Sequence, residues 1–176
     1  MITKEIVTAY LETLLWSETF HGMGDDGEEP LIIEGTEYEP GTPLDQIQGC
    51  DVSDLATLAP KLLEEAEEDL EGFRAYCLED IGIDPFKFFD PSQVAHDFAL
   101  SRNGHGAGFF DREYTISPTG PAGKPSSLRA VRYADSKPGD VVSLSDALQA
   151  AAKTFGTCGL DVWTDEAGNL KMESHG

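Results

Sequence analysis

Apolar side chains recur at helical spacing in three parts of the chain. Between residues 3 and 20, Ile6, Tyr10, Leu14 and Leu15 share a face, Leu11 lies beside them, and Trp16 and Phe20 extend the stripe by a turn. Thr3 stands where an N-cap belongs and Gly22 where a helix can stop. From Pro60, a residue suited to a first helical turn, Leu62, Ala66, Leu70, Phe73 and Cys77 repeat the pattern toward Gly82, with Leu63 and Tyr76 at its borders. A third helix is predicted over Leu144, Leu148, Ala151, Ala152 and Phe155, capped by Ser143 or Ser145 and stopped by Gly156.

Elsewhere the period is two. His96, Phe98, Leu100 and Arg102 alternate with Asp97, Ala99 and Ser101, which predicts a strand. Asn103-Gly104 follows, both residues tolerate positive φ, and Phe109 to Tyr114 reads as the return strand of a hairpin. A second hairpin is predicted from Leu160, Val162 and Thr164, through a turn at 165–169, to Leu170 and Met172. Together these give an α+β fold: an antiparallel sheet of about four strands, from two hairpins, packed with two N-terminal helices and one helix between the hairpins. One domain spanning 1–176 suits the length.

Two stretches interrupt the pattern. Residues 22–50 form an acidic irregular loop, broken by Gly and Pro, in which Leu31-Ile32-Ile33 could be a short strand or a plug into the core. The spacing of Asp25-Asp26-Gly27-Glu28 does not match the alternating ligands of an EF-hand. Residues 113–142 read as an inserted Pro/Gly-rich loop whose Lys124, Arg129, Arg132 and Lys137 could fold back on acidic parts of the chain. Phe86, Phe88 and Phe89 are expected to seal the second helix against the first hairpin.

Charge changes this picture. Twelve Lys and Arg stand against 33 Asp and Glu, a net charge of −21. Residues 1–95 carry 4 basic and 23 acidic side chains, a balance of −19, whereas residues 96–176 carry 8 and 10, a balance of −2. A field of that sign repels nucleic acid and anionic membrane and attracts basic surfaces. Direct nucleic-acid binding is therefore not expected, and no apolar run approaches the ~18 residues of a membrane span. Six acids crowd positions 64–71, where they repel one another along a helix. Glu64, Glu67, Glu68 and Glu71 are the candidate docking face for a cationic partner. Cys50, Cys77 and Cys158 are an odd count with no close pair, so reduced, packed thiols are expected.

The densest chemistry lies at residues 95–112, with three glycines in five positions among His96, Asp97, Arg102, Asn103, His105, Asp111 and Arg112. Glycine-rich backbone with Arg102, Asn103, His105, Asp111 and Arg112 could capture a phosphate or a nucleotide-like ligand. A small hydrolase using His105 and Asp97 is a further alternative. No Gly-x-Ser-x-Gly or phosphate-loop pattern accompanies these residues. His96, Asp97 and His105 fit no standard zinc spacing, and neither metal nor cofactor is expected. On the structural side, Asn103-Gly104 serves the turn, and Arg102, Arg112 and Asp97 could pair across the strands.

The stretch from Asp97 to Arg112 resembles the signature of a group of small bacteriophage-encoded proteins of unassigned function, approximately Asp-Phe-Trp-Leu-Thr-Arg-Asn-Gly-His-Gly-Ala-Gly-Phe-Trp-Asp-Arg. Thirteen positions match: Asp97, Phe98, Leu100, Arg102 through Phe109, Asp111 and Arg112. The chain departs at Ala99, Ser101 and Phe110. In those proteins a helix and a strand pair follow closely, similar to residues 143–173. The resemblance implies a phage origin, a place in the host cytoplasm, and an accessory, host-directed role. Joined to the segregated charge, it leads to the expectation of a non-enzymatic protein that binds and inhibits a basic host factor, nucleic-acid-binding or defence-related, by imitating a phosphate backbone.

Overall fold

A computed structural model describes residues 1–116 and 142–176. The long helices form where the apolar periodicity places them. Helix α1 spans Lys4–Ser17 and buries Ile6, Tyr10, Leu11, Leu14 and Leu15. It stops before Gly22 because residues 18–20 turn to pair with another segment. The Phe20 N–H donates to the Thr42 carbonyl at 2.8 Å, and Gly41 returns a bond to Phe20 at 2.7 Å. Phe20 is buried there, while Trp16 stays 47% exposed.

Residues 22–50 hold more regular structure than expected. Strands β1 (Leu31–Ile33) and β2 (Thr36–Tyr38) form a short antiparallel ribbon. Leu31 and Ile33 plug into the core and Ile32 faces water. A short helix α2 (Leu55–Leu58) leads into α3 (Pro60–Tyr76), which continues through one π-helical turn at Cys77–Ile81. Leu62, Ala66, Leu70, Phe73 and Cys77 are all buried, as their spacing requires. Helix α4 (Pro85–Phe88) follows. Phe86 packs edge-on to Phe73 at 6.3 Å and Phe89 against Tyr114 at 4.8 Å, but Phe88 is 55% exposed and seals nothing.

The first hairpin does not exist. Residues Pro91–Asn103 form helix α5. Asp90 caps it, accepting the Gln93 N–H at 2.8 Å, and Pro91 occupies the first turn. Gly104, at φ 72°, is its left-handed C-terminal stop, so Asn103-Gly104 ends a helix instead of joining two strands. Alternation misleads because α5 is enclosed on several sides: Val94, Ala95 and every residue from Asp97 to Arg102 are buried, polar ones included. Phe109–Asp111 is a turn of 3-10 helix where a return strand was expected.

Strands β3 (Thr115–Ile116) and β4 (Val142–Ser143) pair antiparallel, helix α6 spans Ser145–Lys153, and β5 (Gly159–Thr164) pairs with β6 (Leu170–His175). This last ribbon is the second hairpin as expected, with Asp165 accepting the Ala167 and Asn169 N–H groups in its turn. The described residues therefore carry an α+β fold of six α-helices and three separate two-stranded ribbons, not a four-stranded sheet packed with three helices. Most of the 113–142 stretch, with Lys124, Arg129, Arg132 and Lys137, lies outside the described residues. Helix α5 is the hub: it packs on α1, α4 and α6, and Phe98 stacks on Phe73 at 4.4 Å and on Tyr10 at 5.7 Å.

Candidate functional site

Asp97, Ser101 and Arg102 of the 95–112 stretch are turned inward. Asp97 is fully buried. Its Oδ1 accepts from Gln93 Nε2 at 2.9 Å and Arg112 Nε at 3.0 Å, and its Oδ2 accepts from the Tyr114 hydroxyl at 2.6 Å. Burial, then the hydrogen bond to Asp97, pushes the Tyr114 pKa far up, so the phenol stays a donor. One turn on, the Ser101 hydroxyl donates to Gln149 Oε1 at 2.7 Å and accepts the Phe109 N–H at 3.0 Å. That bond folds the glycine turn back onto its own helix.

Arg102 is consumed by the fold. Its Nε donates to the Gly156 carbonyl at 2.9 Å and Nη2 to the Phe155 carbonyl at 2.9 Å. Its Nη1 reaches the Tyr10 hydroxyl at 2.7 Å and the Asp69 carboxylate. The guanidinium carbon also lies 5.4 Å from the Phe98 ring centre. Burial works against its charge, and Tyr10 and Asp69 outweigh that effect. Asn103 joins α5 to the segment before β5: its Oδ1 accepts the Cys158 N–H at 2.7 Å and its Nδ2 donates to the Cys158 carbonyl at 3.0 Å.

Of the five residues weighed as ligand contacts, Arg102 and Asn103 thus hold helices and strand together. Arg112 keeps its side chain about half exposed but places Nε on Asp97. Asp111 is exposed, and His105 lies 3.6 Å from Glu18. His105 and Asp97 do not meet, since every partner of Asp97 named above is another residue. His96 also faces elsewhere, toward Trp16 and Thr13. The Thr13 hydroxyl donates to the Ala9 carbonyl at 2.7 Å, so it must accept from His96 Nδ1 at 2.8 Å, and the ring carries its proton there. His96, Asp97 and His105 therefore do not converge on a metal.

The acidic candidates divide. Glu64, Glu67 and Glu68 are exposed on α3 and make no ion pair with a described residue. Glu71 is structural. It accepts the Ile2 N–H at 3.0 Å and pairs with Arg74 at 2.9 Å, and its pKa is lowered by the first of these and then the second.

Beside this face runs a groove of about 770 Å³, which the sequence reading missed. Val7, Leu11, Leu15 and Trp16 of α1 line one wall, and Val52 and Leu63 lie opposite. The sequence signal was faint, because Leu11 and Leu15 are themselves buried and, on α1, only half-buried Val7 and exposed Trp16 turn apolar surface toward the groove. Set against family models, curated proteins and solved structures, the chain matches none. No helix of the described residues is long and apolar enough to cross a membrane.

Proposed function

We propose that this chain is a non-enzymatic phage accessory protein of the host cytoplasm. It binds and inhibits a basic host factor, nucleic-acid-binding or defence-related, through an acidic surface that imitates a phosphate backbone. The observation that carries the reading is the solvent-facing row Glu64, Glu67 and Glu68 on a helix whose opposite side is already held by the core. Like charges at this spacing cost helix stability in isolation, and a cationic partner relieves that cost. Across residues 1–95, ion pairs with described residues reach Glu18, Asp69, Glu71 and Asp84, which leaves the greater part of the 23 carboxylates available to the long-range field. Such a field accelerates encounter with a basic surface and weakens with salt.

Small-ligand capture by the 102–112 residues is not favoured by geometry, because the guanidinium and amide best suited to it are spent on internal partners. The test is a pull-down from host lysate with the triple variant E64K/E67K/E68K beside the parent, at low and high salt. Glu71 is left intact because it holds the N-terminus. Partners of the parent should be basic, salt-sensitive and lost by the triple variant. An unchanged set of partners with unchanged salt dependence refutes the reading.

A further inference from the structure

We infer that the groove along α1 is the anchoring site for a cationic amphipathic helix of the partner protein. The inference rests on the function proposed above and specifies where and how the partner is held. Over a floor of buried Leu11 and Leu15, the groove presents half-buried Val7, Val52 and Leu63 to water, and covering such apolar surface is stabilising. Trp16, at its end, is 47% exposed although it stacks on His96 at 5.9 Å between ring centres. A Trp with one face packed and the other open is a common anchor in protein interfaces. The wall from Lys4 to Trp16 is about 18 Å long at 1.5 Å per residue, the length of three helical turns. Helix-in-groove recognition uses apolar residues at i, i+3 or i+4, and i+7 over that distance.

Charge decides which helix. Glu12, Asp45 and Asp51 line the groove against Lys4. Leu63, on the opposite wall, is followed at once by Glu64 and one turn later by Glu67, so the acidic face of α3 begins where the groove ends. An apolar stripe flanked by Lys or Arg meets both surfaces together. A second copy of this chain, at −21, meets only repulsion, as does an anionic membrane.

The chain has two tryptophans, and Trp163 lies on β5 outside the groove. In a W163F background, Trp16 therefore reports groove occupancy. The probe is a synthetic peptide of about 15 residues, built from Leu, Lys and Ala with Leu at helical spacing. Its control is a scrambled peptide of the same composition. The expected result is a saturable blue shift of Trp16 with the striped peptide and affinity about tenfold weaker or worse for the scrambled one. Ala56→Arg, at an exposed lining position, should weaken the striped peptide to a similar degree, as should Glu12→Lys on the rim. Circular dichroism checks that both variants fold. If striped and scrambled peptides bind alike, indifferent to Ala56→Arg but abolished by E64K/E67K/E68K, the groove inference fails while the acidic-surface reading stands. If neither peptide binds, the groove inference fails, and the pull-down above judges the wider reading separately. A dimer in sedimentation that Ala56→Arg dissolves would also overturn it, because a second copy would then be the occupant.

Discussion

Replacing Arg102 by Met separates a structural guanidinium from a ligand-binding one. Methionine keeps much of the aliphatic stem but removes every donor and the guanidinium over Phe98. Four bonds go at once: to Tyr10, Asp69, and the Phe155 and Gly156 carbonyls. Breaking a buried pair from one side costs about 3–5 kcal/mol. The Asp69 side chain is 31% exposed and can rehydrate, which moves the loss toward the lower end. The fully buried Tyr10 hydroxyl opposes that, at roughly 1–3 kcal/mol for an unsatisfied buried group, while the carbonyls of exposed Gly156 and half-buried Phe155 lose a charged donor. A loss of about 3 kcal/mol is expected. For a chain of 176 residues this lowers Tm by about 6–12 °C. Urea unfolding followed by circular dichroism measures it. Arg102→Lys should recover little, because one ammonium cannot serve a four-way fork. Asp69→Asn, in the parent and in Arg102→Met, should show a coupling of about 1 kcal/mol. If Arg102→Met unfolds within about 1 kcal/mol of the parent, the inward network is not what secures this residue, and ligand capture regains its best candidate.

Other consequences follow from the same contacts. Gly108 sits at φ 100°, and a Cβ there would lie 2.4 Å from Ser101 Oγ and 2.8 Å from the Asp97 carbonyl. Gly108→Ala should therefore cost at least about 2 kcal/mol, whereas Gly106→Ala, with open space around it, should cost less; thermal denaturation of the two compares them. Burial lowers the His96 pKa, the folded chain binds fewer protons there than the unfolded one, and so its contribution to stability is present above about pH 6.5 and declines as pH falls below it. His96→Gln should flatten that part of the Tm–pH curve, and an unchanged slope would refute the assignment. Burial, then Asp54 and Asp51, pushes the Cys50 thiol up to about 12, and burial first of all raises Cys77 and Cys158 as well. Iodoacetamide near pH 8 should leave all three unmodified in the native protein and label three after denaturation, read by mass.

What was legible in the sequence was whatever had one wet side. Helices α1, α3 and α6 and the β5–β6 ribbon each bury a stripe and expose the rest, so periodicity located them. Helix α5 escaped because it has almost no wet side. Its Asp-Phe-Ala-Leu-Ser-Arg run mixes polar and apolar residues that are buried alike, and in such a run alternation carries no information about faces. Signals that do not depend on burial were the better guide there. Asp90-Pro91 with Gln93 three positions after the cap starts a helix, and Asn103-Gly104 ends one just as well as it turns a hairpin. The groove was missed for the opposite reason. Its residues look like core, and nothing in a sequence tells a covered apolar face from an open one.

The motif's density of special residues invites a catalytic reading, yet the same density is what a central helix needs. A helix packed on several neighbours must bring a polar partner for each buried carbonyl, hydroxyl and carboxylate it meets. Asp97 supplies this toward Tyr114 and Arg112, Ser101 toward Phe109 and Gln149, Arg102 toward α1, α3 and the end of α6, and Asn103 toward Cys158. The bonds of Arg102 and Asn103, and that of Ser101 to Gln149, join elements far apart in the chain, so a change there loosens several. Constraint of that kind limits what the stretch can vary without leaving it free to react. The freedom lies on the other side of the molecule's chemistry, where Glu64, Glu67 and Glu68 meet water and can be altered without disturbing the hub. A surface whose charge can change while the hub stays fixed is what the proposed docking role requires.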